Sequence, residues 1–160
     1  ILVGTGLGLS SLIGHNLGSG KHERAKKTAD HSVLLGVGIM LVMAVLTFIF
    51  AEMYMGIFFD SPETIQYGTQ LLRILALGFP FFGVFIMLEM IHTGVGLNTP
   101  PMVVSVIHSW GLQVLPAVVA TQFLGFDQNA VWQIMTFSGV VSSIGFYVYY
   151  RRGRWLTYKV

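Results

Sequence analysis

SVLLGVGIMLVMAVLTFIF, Ser32 to Phe50, runs nineteen residues without a charged side chain. A helix of about 20 mostly apolar residues crosses a bilayer, and nothing in this stretch asks for water. Just before it stand Lys21, Arg24, Lys26 and Lys27, and a second basic island holds Arg151, Arg152, Arg154 and Lys159. Between the islands the sequence is nearly all apolar, with Arg73 the one further basic residue. Hydrophobic residues make up 54% of the chain and charged residues 10%, against about 25% charged in a soluble domain. Such a chain needs lipid as its solvent, and basic islands of this kind collect on the cytoplasmic side. The sequence reads as an all-α, polytopic membrane protein.

Upstream of the quoted span, Ile1 to Leu17 is apolar and rich in Gly and Ser, small residues that let membrane helices approach closely. It ends at Gly18-Ser19-Gly20, a helix breaker. Opening at Ile1 with neither Met nor a charged leader, it is expected to be a helix truncated from a longer protein. Downstream, Asp60-Ser61-Pro62-Glu63 has the form of a helix start, with Asp60 as cap, Pro62 in the first turn and Glu63 answering Asp60. The helix that follows turns apolar from Ile74, is expected to kink at Gly78-Phe79-Pro80, and runs to Leu97, where Asn98-Thr99-Pro100-Pro101 stops it. A span over about 102–124 carries an internal Pro116. Another over about 130–150 ends in Tyr147, Tyr149 and Tyr150, an interfacial aromatic belt.

About five transmembrane helices result, in a single lobe over residues 1–160 with a tail at 151–160. Alternating helix direction puts the turns at 18–27 and 98–101 and the tail on one side, together with eight of the nine basic residues. The expectation is a multi-pass protein of the cytoplasmic (plasma) membrane with a cytoplasmic C-terminus.

The absence of cysteine excludes disulfides and thiolate metal sites. The basic residues flank apolar spans and form no basic–aromatic groove, so the expected partner is membrane lipid and not nucleic acid. No phosphate-cradling glycine loop, His-Glu-x-x-His pattern or nucleophile elbow occurs, and no enzyme is expected. Glu89 stands out because a carboxylate inside an apolar run costs about 2.5–3.5 kcal/mol even on a lenient insertion scale. His92, three residues on, shares its helical face. Counting about 1.5 Å per residue from the turn at Leu97, His108 on the next helix reaches a similar depth. Glu89, His92 and His108 are therefore candidates for binding a coupling proton or cation; the plainer reading is a polar cluster that ties two helices together. Gln113 is a candidate for cavity lining. Phe81 and Phe85 are candidates for holding a flat cation through their rings, against ordinary packing. Pro80 and Pro116 are candidate hinges that free backbone carbonyls. Asp30 and His31 read as interfacial, and Arg73 as a partner for Glu63 or lipid phosphate.

The run Gly14-His15-Asn16-Leu17-Gly18-Ser19-Gly20, followed by Glu23-Arg24-Ala25, resembles the end of the second helix in each half of the multidrug and toxic compound extrusion (MATE) transporters. Thr93-Gly94-Val95-Gly96-Leu97-Asn98-Thr99-Pro100 resembles the turn after the fourth helix of a half. Asn129-Ala130-Val131-Trp132 with Arg152-Gly153-Arg154-Trp155 resembles the start and exit of the last one. The chain departs from the pattern at His15, where many members carry Gln, and at Val95-Gly96-Leu97, which lacks the usual Arg. The resemblance implies helices 8–12 of a two-lobe, twelve-helix protein. It further implies secondary active efflux, with Na⁺ or H⁺ entering and an organic cationic or amphipathic compound leaving. The partners it implies are an N-terminal lobe and a small organic substrate; no cofactor beyond the coupling ion is expected. The alternatives are a lipid-linked saccharide flippase of the same superfamily, and a membrane-embedded metal enzyme or structural subunit built on Glu89, His92 and His108.

Overall fold

The computed structural model describes residues 2–157. Ile1 and Lys159, the last residue of the second basic island, lie outside the described residues. The apolar segments are all helical, and no strand occurs among the described residues. The helices are α1 (Leu2–Gly18), α2 (His22–Phe58), α3 (Pro62–Ala76), α4 (Phe79–Gly94), α5 (Thr99–Phe123) and α6 (Gln128–Arg151), followed by one 3₁₀ turn, Arg154–Thr157. Helices α2, α5 and α6 are each long and apolar enough to cross a membrane, and α3 with α4, meeting at 53°, makes a fourth, broken crossing. The 17-residue α1 packs along α2 and α4, and α4 is sandwiched further by α6.

The sorting of side chains identifies the solvent. Ala25, Ala29 and Ala51 are fully buried, while Leu34, Ile57 and Phe58 are 70%, 67% and 77% exposed. In water, leaving such side chains outside forfeits about 1.5–3 kcal/mol each. In lipid it costs nothing, and small residues belong at the helix contacts. Two crossings depend on having no side chain at all. A Cβ on Gly94 of α4 would lie 2.6 Å from the carbonyl oxygen of Ser10 in α1, and one on Gly83 would lie 2.6 Å from that of Gly36 in α2.

Local chemistry fixes the helix ends. Gly20 (φ 72°) and Gly96 (φ 76°) sit in the left-handed region, and each closes a Schellman motif. In the first, Gly20 N–H bonds Leu17 O and Lys21 N–H bonds Asn16 O; in the second, Gly96 N–H bonds Thr93 O and Leu97 N–H bonds His92 O. The helix expected to reach Leu97 therefore ends at Gly94, before the prolines. Pro100 and Pro101 instead open α5, because a first helical turn has no use for the N–H that proline lacks. Ser61, not Asp60, occupies the cap position of α3, and no side chain caps that helix. Asp127 does cap α6, accepting from Asn129 N–H at 3.1 Å.

The expected kink at Gly78-Phe79-Pro80 is a full break. Gly78 N–H turns to Leu75 O at 2.9 Å, so Ile74 O loses its helical donor. Thr136 of α6 supplies one from its hydroxyl at 3.2 Å, and Ser143, two turns on, donates to Phe81 O at 2.7 Å. Pro116 behaves differently from the interruption expected of it. Helix α5 continues past it by widening into π turns at Ile107–Val114 and Val119–Phe123, and Leu115 N–H reaches back to Trp110 O. The wider turn relieves the clash between a proline ring and the carbonyl four residues before it.

At 37 residues, α2 is about 55 Å long, well beyond the ~30 Å of bilayer hydrocarbon. Its first turns carry the first basic island. The second island lies at the same end of the lobe: His22 Nδ1–H donates to Leu156 O at 3.0 Å, and Tyr150 O–H donates to Asp30 Oδ1 at 2.7 Å. Trp155, 2% exposed, stacks on Tyr150 with ring centroids 5.4 Å apart.

Candidate functional site

Phe85, Glu89 and His92 follow one another at i, i+4 and i+7 on α4, a single helical stripe. Phe85 meets His108 of α5 at 5.6 Å and Phe146 of α6 at 5.8 Å, centroid to centroid. The His92 ring lies tilted against Phe146 at 5.0 Å and against Tyr149 at 5.8 Å, centroid to centroid. The two histidines are thus joined through two phenylalanines, with Glu89 on the stripe one turn, about 6 Å, beyond Phe85. His108 is fixed by Ser142 Oγ, 3.1 Å from its Nδ1. His92 is fully buried and donates Nδ1–H to Leu88 O at 2.7 Å. That leaves its Nε2 buried with no partner, an omission that costs about 1–3 kcal/mol.

Glu89 is half-buried, and no hydrogen bond or ion pair joins it to either histidine among the described residues. Nor does any group of three His, Asp or Glu side chains there assemble as a metal site, which leaves the metal-centre alternative without a donor set. The stripe can do something simpler. It presents one acid, with no hydrogen bond or ion pair among the described residues, on the face of a broken membrane helix.

Three grooves of the lobe bear on the candidate residues. One of about 580 Å³ lies between α2, α4 and α6, with Asp30, Phe81, Tyr147 and Arg151 in its wall. A second, of about 560 Å³, lies between α5 and α6, with Pro116, Gln133 and Phe137. A third, of about 470 Å³, lies at the opposite end of α2 and α3, with Glu52, Thr69 and Arg73. Phe81 therefore lines a groove, whereas Phe85 is committed to the core. Gln113 lines none of the three; Gln133, one helix on, does. Arg73 forms no ion pair with Glu63 among the described residues. Its guanidinium lies 5.7 Å over the Phe48 ring and Nε–H donates to Phe48 O at 3.4 Å.

Gln133 was missed in the sequence, although it carried the same signal as Gln113, an amide in an apolar run. Asp30 was read as interfacial, but its partner Tyr150, 120 residues away, was not foreseen.

A protein-family model described as MatE matches residues 1–119. The chain is 28% identical over 155 residues to the probable multidrug resistance protein YpnP of Bacillus subtilis, an alignment covering 97% of the chain and 34% of that protein. It is 24% identical over 149 residues to the probable multidrug resistance protein YoeA of the same organism, covering 93% and 32%. It is 25% identical over 151 residues to the multidrug export protein MepA of Staphylococcus aureus, covering 92% and 32%. The chain spans about a third of the length of these relatives.

Proposed function

Because the chain belongs to the MatE family, we propose that it forms helices 8–12, the C-terminal lobe, of a cation-coupled multidrug efflux transporter of the plasma membrane. The names of the relatives, multidrug resistance and export proteins, support transport over an enzymatic role. The observation that carries the coupling is Glu89. Among the described residues Glu89 has no hydrogen bond or ion pair; an acid on a membrane helix is costly, and a mobile cation or proton would offset the cost. Inward movement of Na⁺ or H⁺ through the lobe would then drive an organic cation or amphipath outward by alternating access, with the α3–α4 break as the flexible element.

The test is the full-length protein in proteoliposomes. Under an imposed Na⁺ or H⁺ gradient, a fluorescent cationic dye is expected to move against its own gradient and to stop when an ionophore collapses the drive. Dye distribution indifferent to both gradients would overturn the reading.

Orientation follows from the two basic islands meeting at one end of the lobe, which favours that end in the cytoplasm. The chain has no cysteine, so Arg24→Cys and Arg154→Cys each introduce one reporter thiol into it. In a full-length protein otherwise free of cysteine, both are expected to escape a membrane-impermeant maleimide on intact cells and to react after permeabilisation. Labelling of either on intact cells would reverse the assignment.

A further inference from the structure

The groove between α2, α4 and α6 lies apart from the Glu89 stripe, and its charged lining is one acid and one base. Asp30 Oδ1 is held by the Tyr150 hydroxyl at 2.7 Å, which leaves Oδ2 for another donor. Arg151 lines the same groove, and no ion pair joins the two among the described residues. Ser143, deeper in the groove at the level of Phe81, already donates to Phe81 O and Gly139 O, at 2.7 Å each. Below the charged mouth the wall is apolar: Val37 on α2, Phe81 on α4 and Ile144 on α6.

Depth and charge together select the occupant. Asp30 is near the start of α2 and Arg151 is the last residue of α6, so both charges sit at the end carrying the basic islands. Tyr147, Tyr150 and Trp155 stand there as well, at the level where aromatic side chains meet lipid headgroups. From Asp30 to Val37 the groove descends about 10 Å along α2, toward the acyl chains. Asp30 calls for a donor such as an ammonium, and Arg151, with Lys26 in the adjoining pocket, calls for an anionic oxygen. A zwitterion with an apolar tail satisfies both charges and the floor.

We propose that this groove binds one zwitterionic aminophospholipid of the phosphatidylethanolamine type. Its ammonium lies on Asp30, its phosphate on Arg151, and one acyl chain against Val37, Phe81 and Ile144. A primary ammonium donates charge-assisted hydrogen bonds to a carboxylate, and a guanidinium matches the phosphate oxygens in pairs.

Native mass spectrometry of the full-length protein, equilibrated with phosphatidylethanolamine or phosphatidylglycerol of matched chains, reads the site directly. The wild type is expected to retain phosphatidylethanolamine preferentially. Asp30→Asn, whose amide oxygen still accepts from Tyr150, is expected to lose that preference, with retention falling about tenfold, the scale of one charge-assisted hydrogen bond. Arg151→Gln is expected to weaken retention of both lipids. Equal retention of the two lipids by the wild type, no retained lipid, or wild-type behaviour in either variant would overturn the assignment. Lipid retention is read without transport, so the site stands or falls independently of efflux.

Discussion

Gly83→Val is expected to destabilise the full-length transporter by about 3 kcal/mol, the upper range for forcing extra atoms into a packed contact. A Cβ at this position would lie 2.6 Å from Gly36 O and 3.0 Å from both the Gly36 carbonyl carbon and Met40 Cγ. Two of those three neighbours are backbone and cannot rotate aside. Helices α2 and α4 would have to separate along their whole contact, and in lipid close van der Waals approach is what holds them. The converse holds at Gly36, where a Cβ would meet Met87 Cγ at 2.5 Å and Gly83 O at 3.1 Å. Gly139→Val is the control, because a Cβ there meets nothing within 4 Å. Thermal unfolding in detergent checks the pair. Equal midpoints for the two variants would show that the glycine crossing does not hold the lobe together.

The second large effect is functional. Glu89→Gln keeps the size of the side chain and removes its charge. Since Glu89 has no hydrogen bond or ion pair among the described residues, the unfolding midpoint is expected to stay where it is. Gradient-driven dye efflux is expected to fall by about tenfold or more, within the 5–150-fold range of ordinary site-to-site coupling. Facilitated dye movement down its own gradient is expected to survive, because the substrate path is untouched. A variant that folds normally and keeps full coupling would remove Glu89 from the mechanism. Leu88, its neighbour, offers the contrast: it is fully buried, and Leu88→Ala is a packing change that should lower stability first.

The apolar helices, their order and an interruption at Gly78-Phe79-Pro80 were legible in the sequence because each is local. Hydropathy over nineteen residues, a proline without an N–H and a glycine free to take positive φ carry their meaning wherever the chain goes. The same locality explains the errors. Asp60-Ser61-Pro62-Glu63 admits two cap positions one residue apart, and Asn98-Thr99-Pro100-Pro101 can stop one helix or start the next. Only the Schellman closure at Gly96 settles which. Pro116 looked like Pro80, yet one helix broke and the other widened. At the α3–α4 break, α6 presents Thr136 and Ser143 hydroxyls to carbonyls of the broken pair, and no run of sequence around Pro80 could announce that.

By itself, then, the sequence determined that the chain is an all-α membrane protein and where its apolar helices begin and end to within a few residues, and it grouped most of the basic residues into two islands. The tertiary structure decided which faces touch: α1 against α4 at Gly94, Phe146 between Phe85 and His92, Asp30 against Tyr150. The reason lies in the solvent. Lipid tails are as apolar as leucine, so a face turned to the bilayer and a face turned to another helix have the same hydropathy. Small residues and hydroxyls choose between them only once a neighbour arrives.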